Sequence, residues 1–141
     1  MFKVVINFED LIKVFIVRGI VFLEEQKVPY GIERDIYDYT STHVLGEENG
    51  EPFGAGRIRK FGDYAKFERI AIRKSHRGKK LGHELIDFMI SIAKEQGYKK
   101  VKIHAQTYLT EFYKKHGFAI AGEIFQEAGK EHYTMIRTNI D

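Results

Sequence analysis

Apolar residues recur along this chain with two different periods, and each period predicts a different kind of element. Leu81, Leu85, Phe88, Met89, Ile92 and Ala93 follow the i, i+4, i+7, i+8 rhythm of one helix face. That helix starts near Lys80, and Gly97 stands where a helix commonly ends. Leu11, Phe15, Ile16 and Phe22 give a second helical rhythm, with Glu9 and Asp10 in its first turn. Strands are predicted at Phe2 to Asn7, from His43, at Gly54 to Arg59, at Lys66 to Ile72 and at Val101 to Ala105. Asn49-Gly50 and Phe61-Gly62-Asp63 read as turns of a meander. A short helix is expected over Thr110 to His116, ended by Gly117. The tail from Phe118 to Ile140 reads as two strands about a turn at Ala128-Gly129-Lys130. Ile32 to Thr42, acidic and aromatic, has no assignable period.

Strand, helix and strand within about forty residues imply a right-handed crossover between parallel strands. The expected fold class is therefore α/β (α+β), one domain over residues 1–141, with a mixed, mostly antiparallel sheet and flanking helices. Side-chain alternation puts Arg57 and Arg59 on one face, and likewise Glu68 and Ile70. Gly54 and Gly56 mark a bulge or a close backbone approach.

Composition narrows the function. The chain has 141 residues, 43% of them apolar, and no Cys. That is enough for a core without cross-links, and it excludes disulfides, Cys-based metal sites and a cysteine nucleophile. No apolar run reaches the length of a membrane helix, and no leader is visible, so a cytoplasmic protein with no membrane partner is expected. None of the six His forms an i, i+4 pair with a third ligand, so no metal is expected. The net charge of +3 is unevenly spread. Met1 to Gly56 carries a net −5, whereas Arg57 to Lys80, with 10 basic and 2 acidic residues, carries +8. A basic stretch of that size suits a polyanion or a solvated face.

Its densest part, Arg73-Lys74-Ser75-His76-Arg77-Gly78-Lys79-Lys80-Leu81-Gly82, lies between a strand and the strongest helix. Unpaired N–H groups at a helix start, the helix dipole and two glycines make such a turn an anion site. It lacks the residue order of a P-loop and the glycine spacing of a dinucleotide fingerprint.

Arg77-Gly78-Lys79-Lys80-Leu81-Gly82 resembles motif A of the GNAT acetyltransferases, Arg/Gln-x-x-Gly-x-Gly/Ala, with Lys80 in place of the middle glycine. Glu111-Phe112-Tyr113-Lys114-Lys115-His116-Gly117-Phe118 resembles motif B. Val21-Phe22-Leu23-Glu24-Glu25-Gln26, His104-Ala105-Gln106 and Gly122-Glu123 with Phe125 are similar to the ElaA-like branch. The resemblance runs over nearly the whole chain.

It implies a GNAT-like fold, acetyl-CoA as cosubstrate and a primary amine as acceptor: a small molecule such as an amino-sugar phosphate or a polyamine, or a peptide. Ile70, Ala71 and Ile72 would pair through their backbone with the pantetheine arm. Arg77, Gly78, Lys79, Lys80, Leu81 and Gly82 would hold the pyrophosphate, with Phe112 and Lys115 also against the cofactor. A gap between the strands ending at Ile72 and Ala105 would admit the thioester. Tyr113 resembles the family tyrosine that protonates the leaving thiolate, and a phenol is protonated at neutral pH. Glu68 is a candidate base or an ion-pair partner of Arg57, Arg59 or Lys66. His104 is a base, a substrate ligand or a core residue. Glu24, Glu25, Arg57, Arg59, Gln106 and His132 are candidate acceptor contacts, the arginines suiting an anionic acceptor and the glutamates a cationic one. Without cysteine, acetyl transfer would be direct. Related proteins also make a homodimer a possible partner state. A non-catalytic acyl-CoA sensor is the alternative. A nucleic-acid module accounts for the basic stretch but not for the ordered motifs, and the aromatics are not interleaved with it.

Overall fold

The computed structural model describes all 141 residues. Its elements are β1 (Phe2–Val4), α1 (Phe8–Arg18), α2 (Tyr30–Glu33), β2 (Thr42–Glu48), β3 (Glu51–Phe61), β4 (Tyr64–Ile72), α3 (Leu81–Glu95), β5 (Lys100–Gln106), α4 (Thr110–Lys114), β6 (Ala119–Ile120), β7 (Phe125–Glu127) and β8 (Lys130–Thr138). One mixed sheet runs β1-β2-β3-β4-β5-β8-β6, with β7 on β8. Only β4 and β5 are parallel, and α3 makes the crossover between them. No helix is long and apolar enough to cross a membrane.

Local chemistry explains the boundaries. Asn7 ends the first strand early, because its side chain caps α1 by accepting from the Asp10 N–H at 2.8 Å. α1 then continues as a π-helical stretch, Gly19–Glu25. Asn49 and Gly50 take φ of 53° and 82°, as a tight two-residue hairpin requires. Ala128 and Gly129, at 50° and 76°, do the same between β7 and β8. The tail therefore holds three strands rather than two, because β6 and β7 both pair with β8. The segment without a period, Ile32 to Thr42, holds the end of α2 and a 3₁₀ turn, Ile36–Tyr39, capped by Asp35.

Two cores pack on opposite faces of the sheet. The larger, under α3, contains Ile58, Phe67, Leu85, Met89, Ile103 and Met135. The smaller, under α1, contains Val14, Val17, Val21, Leu45, Ala55 and Ala71. Gly56 lets α3 come close: a Cβ there would lie 2.6 Å from Met89 Sδ.

The register of β3 on β4 slips between Ala55/Ala71 and Arg57/Glu68, so Gly56 faces both Arg69 and Ile70. This is a β-bulge, and Arg69 takes the left-handed φ of 55° within it. Glu68 and Ile70, expected on one face by alternation, are in fact on opposite faces. Glu68 joins the charged groups on the α1 side, whereas Ile70 and Ile72 pack against the α3 core.

Candidate active site

The ladder between β4 and β5 runs from Tyr64/Lys100 to Phe67/Ile103 and stops there. Beyond it the two strands diverge, and a cleft of about 390 Å³ opens between them. Glu68, Ile70, His104, Gln106, Tyr113, Arg59 and His132 all line this cleft. The β4 edge from Glu68 to Ile72 has no β5 partner, so backbone groups there that point away from β3, the Ile72 carbonyl apart, have no strand to pair with and can meet an extended ligand.

Just past β4, the chain turns into α3. Gly78 and Lys80 take positive φ of 79° and 64°. The first intrahelical bond is from Glu84 N–H to the Lys80 carbonyl, so the three N–H groups before it face out of the helix end. Lys80 adopts the left-handed conformation that glycine favours, which accounts for the backbone path where motif A has its middle glycine. Phe112 lies beneath Gly82, 3.5 Å from where a Cβ would be, and stacks on His83. His83 in turn bonds His116 at 2.8 Å, and His116 bonds Asp87 at 3.1 Å, which ties α4 to α3. Leu81 turns into the core, while Lys79 and Lys115 are exposed.

Arg77 is exposed but not unpaired. Its guanidinium grips both carboxylate oxygens of Glu25, at 2.5 and 2.8 Å, and donates to the Ile72 carbonyl at 2.9 Å. Glu25, expected as an acceptor contact, is thus a partner of the phosphate turn and lies outside the cleft lining. Glu24 is exposed and lies outside the cleft lining.

Tyr113 is 5% exposed and lines the cleft. Burial pushes its phenol well above the usual value, so it stays protonated. His104 is reached by a residue the sequence did not single out. Glu127, which also lines the cleft, accepts from His104 Nδ1 at 3.0 Å. That hydrogen bond holds the Glu127 carboxyl below its usual value. A carboxylate only accepts, so Nδ1 carries the proton and Nε2 is left as the basic nitrogen. The pairing depends on the β7–β8 hairpin folding back over β5, which no local pattern announces. Phe125 meets the His104 ring edge-on at 4.9 Å and stacks on His132 at 5.8 Å.

Glu68 is an ion-pair anchor rather than a free base. Oε1 accepts from Arg57 at 2.6 Å and Arg59 at 2.8 Å, and Oε2 meets Arg59 at 3.0 Å and Lys66 at 3.1 Å. Burial raises its pKa, but the hydrogen bonds and charges of Arg59 and Arg57 outweigh this and hold it far below the carboxylate range. So depressed, it has little tendency to take a proton. Arg57, expected to touch the acceptor, is 0% exposed. It bridges Glu68 to Asp35 and Asp38 inside the protein and cannot reach a ligand. Arg18 completes the network through Glu33 and Asp38, and Arg69 through Glu33 and Asp35. Ala71 is buried on the α1 side, so any contact it makes with a ligand is through its backbone.

A family model described as "Acetyltransferase (GNAT) domain" matches residues 17–138. The chain is 37% identical over 132 residues to the uncharacterized N-acetyltransferase YjcF of Bacillus subtilis (strain 168), covering 93% of this chain and 94% of that one. It is 31% identical over 125 residues to protein ElaA of Escherichia coli (strain K12), covering 85% and 82%. The crystal structure of Escherichia coli ElaA superposes with a TM-score of 0.88 at 28% identity, over 97% of this chain and 98% of that one. A GNAT family acetyltransferase from Elizabethkingia anophelis, solved with acetyl-CoA bound, shares the fold with a TM-score of 0.70 at 18% identity, over 98% of this chain and 97% of that one.

Proposed function

Since the chain belongs to the GNAT acetyltransferases and is an acyltransferase, we propose that it carries acetyl from acetyl-CoA directly to a primary amine bound in the β4–β5 cleft. The observation that carries this reading is the end of the β4–β5 ladder at Phe67/Ile103. It leaves a bare strand edge beside an anion-binding helix start, with Tyr113 and His104 on the walls of the opening. An extended pantetheine arm fits such an edge, and a pyrophosphate fits the Gly78–Lys80 turn with its outward N–H groups. The acetyl-CoA-bound fold relative supports the choice of donor.

Each remaining requirement of the chemistry has a residue of the right kind. The acceptor ammonium must lose a proton before it attacks, and His104 Nε2, held by Glu127, takes it. The unpaired β4 edge offers backbone N–H groups to the carbonyl oxygen as it gains charge. When the carbon–sulfur bond breaks, the Tyr113 hydroxyl gives its proton to the thiolate, and solvent then restores the phenol.

The test has two stages. Calorimetry with acetyl-CoA should show binding at one site per chain, and a thiol-release assay across amines should then show turnover. Tyr113→Phe should lower kcat by about 100- to 10,000-fold with acetyl-CoA affinity within about twofold. Unchanged kcat would remove Tyr113 from the chemistry, and absent acetyl-CoA binding would overturn the donor.

A further inference from the structure

The cleft lining holds four Lys/Arg and four Asp/Glu side chains, but they are unevenly paired. Glu68 is the one carboxylate paired with Arg59 and Lys66, and it also pairs with Arg57, which has Asp35 and Asp38 besides. Across the whole network, Arg18, Arg57, Arg59, Lys66 and Arg69 face only Glu33, Asp35, Asp38 and Glu68. Within it, Arg59 and Lys66, which have one carboxylate between them, both line the cleft. The Lys66 side chain is 8% exposed and lines the opening, and its one carboxylate contact is the 3.1 Å approach to Glu68. Lys102 sits on the neighbouring rung of β5. Its ammonium lies over the rings of Phe61 and Tyr64, at 4.8 and 4.7 Å. Lys130 lines the cleft as well. Of the other carboxylates of the lining, Glu127 is engaged by His104 and lies 3.9 Å from His132. Glu33 and Asp35 are each held by arginines.

A buried cation that shares one carboxylate with two arginines is under-neutralised, and an incoming anion meets a partner whose own desolvation is already spent. A second cation on the acceptor would meet like charge at close range. Building on the acyl-transfer reading above, we propose that the acceptor is an amine that also carries an anionic group, carboxylate or phosphate. The anion sits against Lys66 and Arg59, and the amine points to His104. The same pairing disfavours a polyamine, and Glu25, an acid that would suit one, is turned away to Arg77.

The experiment begins with a CoA titration of the wild-type chain. Thiol release is then compared for O-phosphoethanolamine, β-alanine, ethanolamine and putrescine, four primary amines of similar reach. In parallel, inorganic phosphate is titrated into CoA-saturated protein, where CoA already fills the phosphate turn. The expected result is a kcat/KM for at least one anion-bearing amine tenfold or more above ethanolamine, with putrescine lowest. Phosphate should bind the CoA-saturated protein. Lys66→Met should remove both effects, and Lys66→Arg should keep them, with CoA affinity and Tm measured as controls for folding. Putrescine or ethanolamine matching the anionic amines overturns the inference. So does a preference or phosphate binding that survives Lys66→Met, or CoA-saturated protein that binds no phosphate. CoA that fails to bind overturns the acyl-transfer reading itself, whereas CoA binding with a cationic preference overturns the anionic acceptor alone.

Discussion

Replacing Asp38 with asparagine tests whether the buried ion network holds the cleft wall in place. Asp38 Oδ1 accepts from Arg18 at 2.7 Å and Arg57 at 2.8 Å, and Oδ2 accepts from Arg18 at 3.1 Å. Burial alone would raise its pKa, but the two guanidiniums outweigh burial and hold it down to about 2 from an ordinary 3.8. At roughly 1.4 kcal/mol per pH unit, that difference is worth about 2 kcal/mol of folding stability at neutral pH. The asparagine side chain would keep the shape but lose the charge, and its amide would turn a donor towards guanidinium donors. Breaking a buried pair costs about 3–5 kcal/mol, so the expected loss lies at about 2–5 kcal/mol. For a domain of this size that is a fall in Tm of roughly 6–15 °C. Because the folded-state pKa is depressed, the Asp38 contribution is complete above its ordinary pKa and is lost as pH falls towards its folded value. Urea unfolding followed by far-ultraviolet circular dichroism should therefore show a constant gap between wild type and Asp38→Asn from pH 7 to 5. The gap should shrink steadily between about pH 4 and 2. A gap under about 0.5 kcal/mol at pH 7, or one that persists undiminished at pH 2, would refute the argument.

Gly56→Ala should destabilise the protein by about 1–3 kcal/mol in the same unfolding assay, because its Cβ would lie 2.6 Å from Met89 Sδ. Combined with Met89→Ala, it should cost less than the sum of the two single changes. Glu127→Gln should lower kcat tenfold or more and leave Tm within about 2 °C, since neither partner in the His104–Glu127 pair is fully buried. A change in acceptor KM alone would instead make Glu127 a binding group. Glu25→Ala should tighten CoA binding by about two- to fivefold in calorimetry, because a partly exposed ion pair of about 0.2–1 kcal/mol no longer competes for Arg77. An unchanged Kd would mean that the Arg77 guanidinium stays with Ile72 and leaves phosphate binding to the backbone.

Local rules carried much of the fold. α3 shows its buried face in spacing alone, and Asn49-Gly50 and Ala128-Gly129 announce their turns by residue type. The parallel crossover follows from element order. The phosphate turn and Tyr113 came from motifs contiguous in the chain. What local pattern did not reveal is non-local. Ile32 to Thr42 lacks a period because its acidic residues answer arginines on α1, β3 and β4, not a hydrophobic face. Arg57 looked like a ligand contact because nothing in its neighbours shows that Asp35 and Asp38 return across it. Glu127 meets His104 only once the last hairpin folds over β5. The bulge is invisible for a different reason: Arg69 takes a backbone shape that arginine does not signal. Its side chain then holds that shape in place through the Glu33 carbonyl at 2.9 Å and Asp35 at 3.1 Å.

That bulge divides β4 by parity. Before Arg69, the odd positions Ala65 and Phe67 meet the α3 core and the even positions Lys66 and Glu68 meet charge. After it, the even positions Ile70 and Ile72 meet that core and the odd position Ala71 meets the other. A single inserted residue thus lets one strand serve two masters. Its first half shapes the charged wall of the cleft, and its second half presents a bare backbone edge on a firmly packed base. Changes that retune the acceptor can therefore accumulate at Lys66 and Glu68, on the face opposite the core that carries Ile70 and Ile72. Specificity can drift here while the donor end of the reaction stays fixed.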